Sequence, residues 1–381
     1  MRVLLRELKE VLRYLRTATG HKRIVFYAEH EGYQAYFEGI LRELTERHET
    51  PLCYVTSDPN DPVLTQNNPL VATFFLRRLL PFFFLLVRCR ALVMTLTDLH
   101  RYHLKRSVDP SVHYVYVFHS LVSAHMMYLE GAFDHYDSVL CVGEHHEREL
   151  RALEAARGQK AKELVRGGYY RLDRIRDAFS RRASSNEAPS PRRVLIAPSW
   201  GEQNLLRLCG RELIAGCAAQ GYQVTVRPHP EILRRTPEVI EALQREFAER
   251  PEVAFELSVA TDDSLLEADV LICDCSGVAL EYAFGTERPV LFLDVPYKIK
   301  NPNYEALGME PIELGLRTEI GVLHPAERIE EVPAIVEKLI ADREQYRERI
   351  RNARERYVFA LGRSSQIGAE HVLAKASGGA G

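Results

Sequence analysis

The sequence predicts an α/β protein of two doubly wound domains, each with a mainly parallel sheet, facing a common cleft. Three observations predict it. Short apolar runs alternate with helical segments along the chain: Arg23–Ala28, Leu52–Val55, Leu92–Leu96, Val112–Phe118, Ser138–Val142 and Lys162–Arg166, then Val194–Ala197, Gln223–Arg227, Val253–Glu256, Val270–Cys273 and Val290–Leu293. Strand–helix repetition of this kind builds parallel sheets covered by helices. The stretch 177–192 is polar, carries two prolines and has no apolar period, which reads as a linker. The length of 381 residues is too great for one ordinary core. The expected limits are therefore a first domain over 1–176, a linker over 177–192, a second domain over 193–375 and a small polar tail over 376–381.

The elements follow in order. Met1–Arg16 keeps Leu4, Leu5, Leu8, Val11, Leu12 and Leu15 at helical period among five basic residues, Arg2, Arg6, Lys9, Arg13 and Arg16. Two readings stand for it: a helix lying on anionic lipid, or one packed on the first domain. Ala35–Arg47 is a helix between the first two strands. The most apolar region, Leu70–Leu96, is broken by Arg77, Arg78, Pro81, Arg88 and Arg90. Its uncharged part, Leu79–Val87, falls far short of the ~20 residues of a membrane span, so it reads as an internal helix or an Arg-flanked interfacial surface. In the second half, helices are expected over Leu205–Gln220, Pro237–Glu249, Val278–Phe284, Pro333–Ile340, Arg343–Tyr357 and Ser364–Lys375.

Composition excludes several classes. The formal net charge of −3 gives no nucleic-acid footprint. Seven cysteines form no CxxC pair, and Cys273 and Cys275 sit too close together for a zinc half-site. They read as reduced, buried thiols of a cytosolic protein, and no secretory signal is expected at the N-terminus. No HExxH, Walker loop or GxSxG elbow occurs, so neither a metal or other cofactor nor Ser-His-Asp hydrolysis is expected.

In open parallel sheets ligands bind beyond the carboxyl ends of the strands. His119, Ser199, His229 and the turn Asp274–Gly277 all fall there. A helix starting at Ser276-Gly277 aims free N–H groups and a positive dipole end at the crevice, which suits a phosphate. Gly277 allows close approach, and the Ser276 hydroxyl either caps the helix or bonds a ligand. Arg227 offers a forked pair of donors to phosphate, and His229 donates a hydrogen bond or protonates a leaving oxygen; alternatively His229 is satisfied by backbone in a rigid Pro-His-Pro turn. Asp274 orients His229 or caps the helix. Glu281, one turn past Gly277, holds ribose hydroxyls or is a solvated helix residue. His119 takes a proton from an attacking hydroxyl, or serves as a capping or core histidine.

The segments APSW (197–200), RPHP (227–230), ADVLICDCSGVALEYAFGTERPVLFLD (268–294), YVFHS (116–120) and GGYYRLD (167–173) together resemble the CDP-glycerol glycerophosphotransferase family. The resemblance implies a GT-B fold of two Rossmann-like domains and action at a membrane face. It implies transfer of glycerol phosphate, or a related polyol phosphate, from a CDP-activated donor to a growing polyol-phosphate or glycan chain, with release of CMP. It implies His119 as the acceptor-activating base, Ser199, His229 and Ser276 as contacts of the donor diphosphate, and Glu281 near the ribose. Where the family has Ser-Ser and Gly-Thr, this chain has Ser276-Gly277 and Ser120-Leu121. The expected partners are CDP-glycerol or a CDP-polyol and a glycan or polyol-phosphate acceptor, lipid-linked in one version, and no nucleic acid. The expected place is peripheral at the inner face of the cell membrane. A nucleotide-sugar glycosyltransferase or UDP-sugar 2-epimerase on the same scaffold is the alternative, and a non-catalytic scaffold ranks below it.

Overall fold

Seven parallel strands form the first of two sheets: β1 (Ile24–Ala28), β2 (Leu52–Thr56), β3 (Val71–Phe75), β4 (Ala91–Met94), β5 (His113–Val117), β6 (Ser138–Cys141) and β7 (Glu163–Arg166), in the spatial order β3-β2-β1-β4-β5-β6-β7. The structure, a computed structural model, describes residues 2–183, 191–258 and 261–378. Every residue of β1, β2 and β4 is buried, as continuous apolar runs require when both faces of a sheet are covered. Val25 of β1 lies opposite Cys53 of β2 and Leu92 of β4. On one face Phe26, Tyr54, Val93 and Val115 share a core with Ile40, Leu44 and Val372.

This unit comprises Met1–Ser120, Tyr128–Arg171 and Val358–Gly381, and the second comprises Leu121–Met127 and Leu172–Tyr357. These limits differ from those read off the sequence. The C-terminal helix Ser364–Ala376 belongs to the first unit, where it crosses helix Glu38–Arg42. Glycines make the crossing close: a Cβ on Gly39 would lie 2.1 Å from Ser365 Oγ, and one on Gly368 2.6 Å from Ile40 Cδ1. The first residues of the expected linker continue helix Tyr170–Ala183, while 184–190 lie outside the described residues, as do 379–381 of the expected tail. The helix expected over Ala35–Arg47 is broken at Phe37 (φ −131°), giving Glu31–Gln34, Glu38–Arg42 and a π-helical turn Glu43–Arg47.

The N-terminal helix Arg2–Arg16 lies against β3 with an inverted pattern. It buries Glu7 and Tyr14 and exposes Leu4, Leu5, Leu8, Leu12 and Leu15. The Tyr14 ring packs edge-on against Phe74 and Phe83, at 5.4 and 4.9 Å. Glu7 Oε2 accepts the backbone N–H groups of Arg77 (3.0 Å) and Leu79 (2.8 Å) at the start of helix Leu80–Leu86. That second helix exposes Phe82, Leu85 and Leu86.

The second unit holds a six-stranded parallel sheet: β8 (Arg193–Ile196), β9 (Gln223–Val226), β10 (Val253–Phe255), β11 (Val270–Cys273), β12 (Val290–Asp294) and β13 (Gly321–Pro325), in the order β10-β9-β8-β11-β12-β13. Leu205, Leu213, Ile214 and Cys217 of helix Leu205–Ala219 pack on it beside Val336 and Leu339 of helix Val332–Ala341. β13 was not expected: it opens on Gly321, where a Cβ would sit 1.9 Å from the Val290 carbonyl oxygen. The segment Leu121–Met127 is fixed in this unit. Ser123 donates from N and Oγ to the Glu313 carboxylate (2.8 and 2.7 Å), and Asn301 Nδ2 donates to the His125 carbonyl (2.9 Å).

Candidate functional site

In the second sheet the strand order reverses between β8 and β11, and chain segments leaving such a point open a crevice. β8 leads to Ala197–Trp200, its neighbour β9 to Arg227–His229, and β11 to Asp274–Gly277. Three of the motifs singled out in the sequence therefore meet at one edge.

Asp274 joins two of them. Its side chain is buried, and Oδ1 accepts the Ser199 N–H at 2.7 Å. Burial raises its pKa, opposed by hydrogen bonds from the backbone and side chain of Ser199 and from the backbone of Leu205. The carboxylate thus braces the segment after β8, and the Ser199 hydroxyl is directed to it. Ser276 precedes helix Gly277–Thr286 in extended conformation, and its hydroxyl makes no capping bond. Gly277 and Val278, the first residues of the helix, are partly exposed. Glu281 is buried on this helix, which removes the reading as a solvated residue.

His229 caps helix Pro230–Arg235: its Nδ1 accepts the Glu231 N–H at 3.1 Å. A neutral ring with Nδ1 accepting carries its proton on Nε2. Burial first, and then Lys298, push its pKa down to about 4. The residue is therefore a neutral hydrogen-bond donor at pH 7, rather than a ready acid. Arg227 is buried and turned toward Ser264 Oγ (3.1 Å) and Glu256 (3.7 Å), on the β10 side. These contacts are where the structure places the Arg227 guanidinium, which the sequence assigns to phosphate.

Two neighbours were missed. The Lys298 ammonium lies 3.8 Å from the centre of the Trp200 ring, and the Arg235 guanidinium 4.7 Å from it. The His229 ring stands 6.2 Å from the same indole. Trp200 was in view as part of APSW, but nothing in the spacing joins it to Lys298.

In the first unit His119 follows β5, in an aromatic cage. The Tyr116 hydroxyl is 3.2 Å from His119 Nδ1, and the rings of Tyr33 and Tyr128 (5.6 Å each) and Tyr36 (6.0 Å) surround the imidazole. With Nδ1–H donated to Tyr116, Nε2 keeps the lone pair that a base needs. Tyr36 also stacks on Tyr169, at 6.1 Å, in the Gly-Gly-Tyr-Tyr turn. Gly168 of that turn has φ +75°, and a Cβ there would meet the Phe359 carbonyl oxygen at 2.5 Å. The cage lies among side chains brought from residues far apart in sequence, so periodicity alone gave no sign of it.

One set of metal-ligand types stands elsewhere in this unit. His113, Glu163 and His371 bring ligand atoms within 4.8 Å of one another. Ser138 Oγ bridges the Nε2 atoms of His113 (2.9 Å) and His371 (2.8 Å), and Lys375 Nζ pairs with Glu163 at 2.6 Å. The cluster sits where β5, β6 and β7 begin, the edge opposite to His119, with both Nε2 atoms bonded to Ser138 and Glu163 paired with Lys375.

A family model described as CDP-glycerol:poly(glycerophosphate) glycerophosphotransferase matches residues 11–372. Among solved structures, the wall teichoic acid polymerase TagF is similar at 16% identity and a TM-score of 0.63, over 99% of this chain and 95% of that one. The UDP-GlcNAc 2-epimerase from Neisseria meningitidis bound to UDP-GlcNAc is similar at 11% identity and a TM-score of 0.56, over 92% and 98%. No match was found among curated protein sequences. At these identities the structural likenesses establish the fold, a GT-B-like pair of Rossmann-like units.

Proposed function

From the membership of this chain in the CDP-glycerol:poly(glycerophosphate) glycerophosphotransferase family, we propose which residues carry the reaction. The reaction is transfer of glycerol phosphate from a CDP-activated donor to a hydroxyl of a glycan or polyol-phosphate acceptor, with release of CMP. The acceptor oxygen attacks the phosphorus that bears glycerol, and the bond from that phosphorus to the CMP oxygen breaks. The acceptor's proton passes to a base, and the leaving phosphate takes the electron pair. Such a transfer asks for positioning and charge stabilisation and needs no covalent enzyme intermediate.

The observation that carries the assignment is the meeting of three strand-end segments at the order reversal of the second sheet. His229 Nε2–H and the N-terminus of helix Gly277–Thr286 bind the donor diphosphate. Ser276 adds its hydroxyl, and Glu281 serves the ribose. Asp274 and Ser199 act as the brace that holds this edge in shape. In the first unit His119 Nε2 accepts the proton of the acceptor hydroxyl, oriented by Tyr116. Loss of a general base costs about 10²–10⁴-fold in rate, so His119→Ala is expected to lower kcat for CMP release on that scale with donor affinity kept. His229→Ala weakens donor binding instead. CMP release measured with CDP-glycerol and a polyol-phosphate acceptor tests both; turnover of a UDP-sugar in place of CDP-glycerol sinks the assignment.

A membrane-facing role has its own support. No described helix is long and apolar enough to cross a membrane. The N-terminal helix instead exposes a leucine row, and the helix Leu80–Leu86 exposes Phe82, Leu85 and Leu86, with Arg6, Lys9, Arg13, Arg16, Arg77, Arg78, Arg88 and Arg90 exposed in the same two stretches of sequence. Exposed apolar residues and cations in the same segments fit an anionic bilayer surface. We place the protein there as a peripheral enzyme on the cytoplasmic side, working on a lipid-linked acceptor. Its seven cysteines, all buried and unpaired, fit a reducing compartment.

A further inference from the structure

Lys298 follows β12 in the segment 294–300, away from every motif that marks the donor edge. Its ammonium faces the Trp200 indole at 3.8 Å, and the Arg235 guanidinium faces the same ring at 4.7 Å. The Trp200 segment is itself held in place through the bond from Ser199 N–H to Asp274. His229 completes the group, 6.2 Å from the indole. Glu231 bonds Arg234 (2.6 and 3.0 Å) and Arg235 of this cluster (2.7 Å), and its charge also favours the Lys298 ammonium. Among the described residues no carboxylate forms an ion pair with Lys298. A half-buried cation stacked on an indole and outside any direct ion pair, next to a neutral His229 that donates from Nε2, has the chemistry of an anion site.

We propose that Lys298 is the cation that binds the donor diphosphate, held by Trp200, and that donor binding is coupled to protonation of Lys298. The inference rests on the donor reading above and adds a residue to it. A bound diphosphate supplies a direct counter-ion and favours the charged form.

Burial, reinforced by Lys300, brings the Lys298 pKa down to about 7. The other groups that face it do not titrate near that value. Glu231 is held near 2, chiefly by Arg234, and His229 near 4 by burial. Burial raises the Cys275 thiol far above its usual value, and Arg235 stays cationic. Lys300 adds a like charge that opposes protonation of Lys298. Donor affinity is therefore full below pH 7 and falls as Lys298 loses its proton, approaching tenfold per pH unit above it.

The test is calorimetric binding of CDP-glycerol to the full chain between pH 6 and 9, for wild type, Lys298→Gln and Lys298→Arg. CDP-glycerol suits the purpose because its diphosphate diester has no proton to lose in that range. Wild type is expected to lose about tenfold in affinity from pH 7.5 to 8.5. Lys298→Gln binds about tenfold or more weaker at pH 6 and shows a flat profile. Lys298→Arg keeps the affinity and also shows a flat profile, because guanidinium does not titrate. If Lys298→Gln does not fold, the arginine variant carries the test alone. Wild-type affinity and pH dependence retained in either variant overturn the proposal. Failure of the donor reading looks different: wild type then binds no CDP-glycerol, and UDP-GlcNAc run through the same series shows whether Lys298 serves another nucleotide diphosphate.

Discussion

Asp274 shows how far one residue's role departs from what its motif suggests. The Asp-Cys-Ser-Gly turn lies at the ligand edge of the sheet, and its carboxylate accepts the Ser199 N–H at 2.7 Å. Removing it leaves a buried donor unpaired, a loss of about 1–3 kcal/mol. Asp274→Ala is therefore expected to lower the thermal midpoint and to weaken CDP-glycerol binding together, because Trp200 follows Ser199 directly. Calorimetry and a binding isotherm on the same preparation check this, and a variant with full stability and weak binding would make Asp274 a ligand contact instead. Which residues lie at strand ends was legible, since apolar runs mark where strands stop. Where a side chain turns was not. Arg227 and His229 are two residues apart, and only the fold shows that one is buried against Glu256 while the other caps a helix beside Trp200.

Element by element, central strands read well because burial on both faces makes them continuous apolar runs, as in β11 and β12. Of the edge strands β7 and β10 are legible, and β3 and β13 are not. β3 was hidden inside a longer apolar region, and β13 opens on a glycine required by Val290. The C-terminal helix was recognised as a helix but assigned to the wrong unit, since a helical period does not say which core its apolar face enters. Its tether to the first sheet is the chain His113–Ser138–His371–Glu163–Lys375. Burial lowers the pKa of His371 to about 4 and that of His113 in the same direction. The unfolded chain then binds protons first, from its own value near 6.5. This part of the stability is present above pH 6.5 and is lost as the pH falls toward 4, by at most about 1.4 kcal/mol per unit for one histidine. Thermal midpoints of wild type are expected to fall between pH 7 and 5, and those of His371→Gln to fall less. Equal slopes would remove His371 from the acid response.

At the scale of the whole molecule, two doubly wound sheets followed from the alternation of elements, whereas the path of the chain between them did not. Leu121–Met127 belongs with the second sheet and Val358–Gly381 with the first, and exchanges of this kind leave no local trace in composition. The amphipathic N-terminus was equally ambiguous, because a leucine row reads the same whether it meets protein or lipid. The structure turns that row outward and places Glu7 underneath, its Oε2 holding the Arg77 and Leu79 N–H groups. A helix fixed by a buried carboxylate, with leucines left outside, is the apolar surface for which we propose a lipid phase. Burying one leucine or phenylalanine side chain is worth about 1.5–3 kcal/mol, so replacing Leu5, Leu12, Phe82 and Leu86 together by serine is expected to abolish sedimentation with anionic vesicles. The exposed cations add attraction that fades over a Debye length of about 8 Å at physiological salt. Wild-type binding is therefore expected to drop on raising salt and on exchanging anionic for zwitterionic lipid. CMP release to a soluble acceptor fragment stays at the wild-type rate in the same variant, because none of the four residues lies at either strand edge assigned to the reaction. Undiminished vesicle binding by the four-residue variant would remove this surface as the anchor and leave the outward leucine row to a protein partner.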